Sequence, residues 1–215
     1  AFSFDADGGI RDIARMSYAT SQPEVYLTDI DGDGSGWTGI NGTVSRLSCH
    51  GGRIISTPVA QALTKMPAPY ITSIARQGGN VWIGSNNGLF RYEPKTRKIT
   101  HYGHLPADVL SLNQNYVSDL AVTPKGKLLV ATLCGVDIHL GDGRFEHWTT
   151  DSPVNPLTSN FVNCIMVTAD QIWVGTDNGG IDRLLPRQLQ ITNFIHSGPG
   201  SLSAGTVNAM YAEDN

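Results

Sequence analysis

From Ile71 onward the chain alternates short apolar runs with small clusters of Gly, Asn and Asp. Ile71 to Arg76 alternates apolar with polar, Val81 to Gly84 is a short apolar run, Leu89 to Tyr92 is another, and Lys98 to Tyr102 ("KITHY") is a fourth. Runs of this length with period two predict strands. Gly78 and Gly79 precede the second run and Gly88 precedes the third, at places where a hairpin needs φ > 0. The stretch therefore reads as four antiparallel strands, and helical periodicity is absent throughout.

The pattern recurs. "VWIGSNNGLFRYEP" (81 to 94) returns as "IWVGTDNGGIDRLLP" (172 to 186), with further copies in "LLVATLCGVDIHLG" (128 to 141) and "GWTGINGTVSRLS" (36 to 48). The small residue after the apolar triplet falls at Gly39, Gly84, Ala131 and Gly175, at spacings of 45, 47 and 44. A second landmark, the aliphatic that opens a unit, falls at Ile71, Val117, Val162 and Val207, at spacings of 46, 45 and 45. Two landmarks that keep step over four units define a true repeat. Four antiparallel strands every ~40 to 50 residues predict an all-β chain of β-propeller blades. The units are 23–69, 70–115, 116–160 and 161–205; 206–215 is the first strand of a further blade, and 1–22 is left unassigned. Trp37, Trp82 and Trp173 of the second strands are expected to pack between blades, with Leu129 taking that place in the third unit.

Composition agrees with many short strands and tight turns: the 215 residues include 24 Gly and 11 Pro, and only 16% are charged. A formal net charge of -4 gives no electrostatic footprint for nucleic acid. Cys49, Cys134 and Cys164 are an odd count without C-x-x-C spacing, so they read as small buried hydrophobes rather than a disulfide framework or zinc site. No run approaches the ~18 apolar residues of a membrane span. The first twenty residues lack the form of a signal peptide, so an exported protein of this sequence would already have lost its leader.

At "VWIGSNNGLFRYEPKTRKITHY" and "IWVGTDNGGIDRL" the chain resembles the two-component regulator propeller repeats, which share the apolar-Trp-apolar-Gly strand, the Asn/Asp-Gly turn and the closing "thy" strand. The "SL" of the linker, at Ser111-Leu112 and Ser201-Leu202, matches too, and the resemblance covers 23 to 215. It implies a periplasmic or extracellular sensing domain of a membrane-anchored bacterial receptor, whose output is a histidine kinase, a response-regulator hybrid or a diguanylate cyclase. It further implies a small-molecule or oligosaccharide ligand, and coupling through a homodimer. Closed propellers of the family need more than four blades, so further blades of the same parent chain or another copy are expected to cover the open side.

"DIDGDGSGW", Asp29 to Trp37, has the look of a calcium loop, with Asp29, Asp31 and Asp33 at alternate positions and Gly34 at the bend. The twelfth position is Ile40, where such a loop needs a bidentate glutamate, and the ninth is Trp37. The repeat places the stretch in the turn between first and second strands, lengthened by about four residues, and the reading taken is a solvated Asp/Gly turn; no cofactor is expected. Ligand contact is expected on the opposite face, where the turn after the second strand and the linker after the fourth emerge. Asn86, Asn87, Asp177 and Asn178 of the turns and His104 and His196 of the linkers are the candidates. Tyr70, Tyr116 and Phe161 lie close to that face, with core packing as their expected role. His101 and His147 are explained by equivalent repeat positions. No catalytic motif is present, and a non-enzyme is expected; the alternatives are a secreted streptogramin-lyase-like propeller enzyme and a protein-interaction scaffold.

Overall fold

The computed structural model describes residues 2–4, 10–12, 25–28, 35–40, 43–50, 53–60, 70–185, 190–199 and 201–212. Within the unassigned lead-in, β1 (Phe2–Phe4) and β2 (Ile10–Asp12) form an antiparallel hairpin. Four four-stranded antiparallel sheets follow, each a meander in chain order. The first blade comprises β3 (Val25–Thr28), β4 (Gly36–Ile40), β5 (Thr43–His50) and β6 (Arg53–Ala60). The second comprises β7 (Ile71–Gln77), β8 (Asn80–Ser85), β9 (Gly88–Glu93) and β10 (Lys98–Tyr102). The third comprises β11 (Val117–Val122), β12 (Leu128–Thr132), β13 (Gly135–Gly141) and β14 (Arg144–Trp148). The fourth comprises β15 (Val162–Val167), β16 (Ile172–Thr176), β17 (Ile181–Leu185) and β18 (Gln190–Phe194).

Successive first strands touch, β3 with β7, β7 with β11 and β11 with β15, so the sheets converge along their first strands as propeller blades do. Side chains tie these strands together: Thr72 donates to the Val117 carbonyl at 2.6 Å, Ser118 to that of Val162 at 2.6 Å, and Asn163 to that of Val207 at 3.2 Å. Asp119 accepts the Ile165 N–H at 2.8 Å, and burial pushes its carboxyl above the usual range.

The apolar core lies between blades. Trp37 and Val44 pack with Ile71, Ile74, Ile83 and Phe90 of the next sheet; Trp82 and Leu89 pack with Val117, Leu120, Leu128 and Phe145; Leu129 and Val136 pack with Val162, Ile165 and Val174. The large rings at these interfaces each remove ~150–250 Å2 from water. Trp37 is 6% exposed and Trp82 1%, whereas Trp173 stays half-buried, with Phe194 stacked on it at 5.8 Å. No further sheet among the described residues covers that face.

A short contact sets the spacing of the blades. A Cβ on Gly39 would lie 2.7 Å from Ile71 Cγ2, one on Gly84 2.7 Å from Val117 Cγ1, and one on Gly175 2.9 Å from Val207 Cγ1. Ala131 shares its cluster with Val162. The two landmarks of the repeat are thus the two sides of one contact. Residues 206–212, expected as a first strand, are not paired into a sheet: Val207 donates its N–H to the Thr176 carbonyl at 3.0 Å and docks on Gly175, but no neighbouring strand among the described residues completes a ladder.

Each second-strand tryptophan also has an arginine as its cross-strand partner. Trp37 faces Arg46, Trp82 faces Arg91 and Trp173 faces Arg183, with guanidinium carbons 5.8, 5.8 and 5.4 Å from the ring centres. These are cation–π distances. In the third blade Leu129 faces Ile138, so the pair changes as a unit. Cys164 is buried and desolvation pushes its thiol up to about 11, which leaves it an inert core residue. Cys134 is half-buried, and the Cys49 side chain lies outside the described residues.

Gly84→Val would force a side chain into Val117 and Ser73. Overpacking of this kind costs about 1–3 kcal/mol, so the urea midpoint of the chain should fall clearly. An unchanged midpoint would mean that the two blades do not meet at Gly84.

Candidate functional site

On one face of the second, third and fourth blades the turn after the second strand lies beside the start of the next unit. Ser85, Thr132 and Thr176 close these turns by donating their hydroxyls to the carbonyls of Gly88, Gly135 and Gly180 at 2.8, 3.0 and 3.0 Å. Those glycines have φ of 97°, 111° and 75°, and a Cβ on each would run into the last residue of the fourth strand, so glycine is required there. Their N–H groups donate to the carbonyls of Asn115, Asn160 and Gly205 at 2.6, 2.7 and 2.7 Å. Turn and following linker are stitched together in the second, third and fourth blades.

The candidate polar residues take part in this stitching. Asn86 accepts the Tyr70 N–H at 2.9 Å, and Asp177 accepts the Thr206 hydroxyl at 2.7 Å. The Asn87 carbonyl accepts a His101 Nε2–H at 2.8 Å, and Asn178 holds a left-handed φ of 59°. His104 and His196 both donate Nδ1–H to the leucine carbonyl of the Ser-Leu motif, Leu112 and Leu202. Ser111 and Ser201 accept N–H groups from the start of the same loops. Both imidazoles therefore brace linkers while their rings remain on the surface. Asn86, Asn87 and His104 belong to the second blade, and Asp177, Asn178 and His196 to the fourth. The turn between them, in the third blade, carries Leu133 and Cys134. Asp29, Asp31 and Asp33 lie outside the described residues. Among the described residues, no group of three or more His, Cys, Asp or Glu is placed to hold a metal ion.

Two fully buried carboxylates anchor the linkers from below. Asp137 accepts the Asn113 N–H at 2.8 Å and His147 Nδ1–H at 2.7 Å, and Asp182 accepts the Thr158 N–H at 2.8 Å, its hydroxyl, and the Asn193 amide. His147 Nε2–H donates to the Val109 carbonyl at 2.9 Å, so both ring nitrogens face acceptors. The bond to Asp137 holds the His147 pKa above the usual histidine value, while burial pushes the Asp137 carboxyl up. In the second blade the equivalent of Asp137 is Phe90, on which His101 stacks at 4.5 Å. Sequence reasoning missed these aspartates. Their signal is the column Phe90, Asp137, Asp182, which changes in register with His101, His147, Asn193.

The aromatic residues that open the first strands are not core. Tyr70 is 64% exposed, Tyr116 39% and Phe161 56%, all at one repeat position on this face. They are exposed because the residue after each, Ile71, Val117 or Val162, occupies the inter-blade contact, and neighbouring strand residues point to opposite sides. We term these three exposed rings the aromatic collar; the backbones of Tyr70 and Phe161 accept the N–H groups of the turn residues Asn86 and Asp177 at 3.1 and 2.8 Å. Flat apolar faces beside amides and a carboxylate suit a ligand with both apolar faces and hydroxyls.

The fold is that of a β-propeller, and residues 156–178 match the model of the two component regulator propeller family. That match bears out the resemblance drawn from the repeat motifs. The chain is similar in fold to the extracellular domains of two B. thetaiotaomicron proteins described as hybrid two component systems. With BT3049 the TM-score is 0.62 at 20% identity, covering 83% of this chain and 25% of that one. With BT4673 it is 0.64 at 21% identity, covering 91% and 27%. The chain thus spans about a quarter of the length of these two structures. Sqt1 of Saccharomyces cerevisiae is also similar, with a TM-score of 0.58 at 17% identity over 89% of this chain and 54% of that one. No curated protein matches the sequence.

His147→Asn places in the third blade the residue that the fourth has at 193. The stabilisation from a raised folded-state pKa is present in full below about pH 6.5, the free histidine value, and is lost as pH rises through the raised value. The difference in urea midpoint between the native chain and His147→Asn should therefore shrink from pH 6 to pH 9. A difference that grows over this range would show that His147 is held neutral.

Proposed function

We propose that the chain is part of the extracytoplasmic sensing propeller of a two-component-type bacterial receptor, and that it binds a small molecule or oligosaccharide on the face bearing Tyr70, Tyr116 and Phe161. The observation that carries this reading is the exposure of three aromatics at one repeat position. Strand alternation turns this position outward but does not require a large ring there, and three rings repeated at one exposed position favour a contact surface. The family match over 156–178 and the likeness to extracellular domains of two-component systems support the receptor setting.

The histidines support a binding rather than a catalytic role. His104, His147 and His196 each donate through Nδ1 to a carbonyl or carboxylate that holds a linker in place, and among the described residues none of these rings is hydrogen-bonded to a Ser, Thr or Cys side chain. Recognition here falls to rings and turn amides, with Asp177 as the charged contact. Signalling then requires the ligand to favour one of two receptor states, such as two arrangements of a homodimer anchored in the membrane. Further blades of the parent chain, or another copy, would cover Trp173.

Calorimetric titration with a panel of neutral di- to hexasaccharides should find a binder. Tyr70→Ala, Tyr116→Ala and Phe161→Ala should each weaken it by about two- to tenfold, the loss of one ring contact of ~0.5–1.5 kcal/mol. Affinity that survives all three substitutions together would remove the collar from recognition.

A further inference from the structure

We propose that His139 makes the interface between the second and third blades an acid-sensitive switch: protonation of its imidazole loosens the packing of the third blade against Trp82. The imidazole stands where the repeat otherwise places a residue without charge near neutral pH. The residue after the cross-strand partner of Trp37, Trp82, Leu129 and Trp173 is Leu47, Tyr92, His139 and Leu184 in turn. Tyr92 meets Trp37 of the preceding blade edge-on, with ring centres 5.9 Å apart at 66°. His139 meets Trp82 in the same way, at 4.8 Å and 63°. An imidazole therefore fills an aromatic's place at an inter-blade contact.

The surroundings accept the neutral ring and resist the charged one. Tyr102 and Phe145 lie 6.5 and 5.4 Å away, centre to centre, and the buried His139 Nε2 has no hydrogen-bond partner. An imidazolium carries N–H on both nitrogens, so protonation leaves a charged donor unpaired in an apolar cluster, which is costly. The cation that faces the ring from the second blade is Arg91 of β9, whose guanidinium lies 5.8 Å from the Trp82 ring centre and 6.0 Å from that of Tyr102. Arg91 pairs with Glu93 at 2.9 Å, while its buried Nε has no partner. Of the other elements around the ring, β8 contributes Trp82, β10 the phenol of Tyr102, and β14 Phe145, flanked by Arg144 and Glu146. β12 offers no titratable side chain. Along β13 itself, Asp137 is taken up by Asn113 and His147. Burial, and then the charge of Arg91, hold the His139 pKa below the usual histidine value, against a weaker pull from Asp142 of the β13–β14 turn.

The cluster that holds Trp82 runs on through Leu120 and Leu128 to Val117, the aliphatic that docks on Gly84. Loosening at His139 therefore reaches the contact that sets the spacing of these two blades. With a folded-state pKa below that of the free imidazole, about 6.5, the interface keeps its full stability above pH 6.5. It loses stability as pH falls through that value towards the folded-state one. The switch belongs to the interface and stands whether or not the collar binds a ligand.

Two measurements test the switch. In the native chain the imidazole C–H resonances of His139, followed by NMR, should titrate with a midpoint below about 6.5. The indole N–H resonance of Trp82, which donates to Gln77 Oε1 at 2.9 Å, should move with the same midpoint. His139→Tyr, which copies Tyr92, and His139→Leu, which copies Leu47 and Leu184, should hold the Trp82 resonance still between about pH 7.5 and 5. Over the same range the urea midpoint of the native chain should fall relative to both variants. A His139 midpoint at or above about 6.5 overturns the proposal, because the Trp82 ring would then support the imidazolium as a cation–π acceptor. A native urea midpoint that runs parallel to those of the variants overturns it too, as does a Trp82 resonance that shifts equally in them. The titration of the native chain needs no variant, so it decides the matter even if Tyr or Leu disturbs the packing.

Discussion

The contact between a glycine or alanine of one second strand and the aliphatic that opens the next blade is the constraint on which the rest of the structure depends. A Cβ at Gly39, Gly84 or Gly175 would overlap the Ile71, Val117 or Val207 side chain, so the aliphatic can sit directly on the neighbouring backbone. Two blades held at that separation leave a slot wide enough for Trp37 or Trp82 and its arginine, and the inter-blade core fills it. The same contact turns the preceding residue outward, because side chains alternate along a strand. Exposure of Tyr70, Tyr116 and Phe161 is thus the other side of tight blade packing.

Polar residues that attract notice as chemistry are largely occupied with the loops. A buried carboxylate is tolerated only when hydrogen bonds replace its water, and Asp137 and Asp182 meet that condition by capturing linker N–H groups together with a side chain of the fourth strand. His104 and His196 brace the outer ends of the same linkers. The result is a stiff rim. Rings and turn amides set into a stiff rim lose little freedom when they meet a ligand, which favours recognition over turnover.

The strands, the repeat and the position of the tryptophans could be read from the sequence because each rests on local alternation or on a fixed interval. Ile71 to Arg76 and its three counterparts show their strand character in isolation. The exposure of Tyr70 could not be read in this way. An aromatic beside an aliphatic at a strand start fits a core pair as well as an inward-outward pair, and only the neighbouring blade decides which residue is buried. The Asp137 anchor had a signal in the co-variation of Asp137 with His147 and of Asp182 with Asn193 against Phe90 with His101, but it appears only when the units are aligned column by column. The acidic stretch from Asp29 to Asp33 shows the converse, a conspicuous local pattern in the sequence that lies outside the described residues.

The Gly175 and Val207 pair repeats the docking contact at a third interface. Val207 sits on Gly175, its N–H donates to Thr176 and its carbonyl accepts from Asn163, as Val117 and Val162 accept from Thr72 and Ser118. The same three elements recur each time: a small residue on the second strand, an aliphatic opening the next unit, and a polar side chain on the neighbouring first strand. The aliphatic fixes the separation by contact with bare backbone, and the hydrogen bond fixes the height of one unit against the next. This explains why the two landmarks keep step along the chain while strand lengths and turns vary: the pair sets the blade spacing, and the rest of each blade has only to reach it.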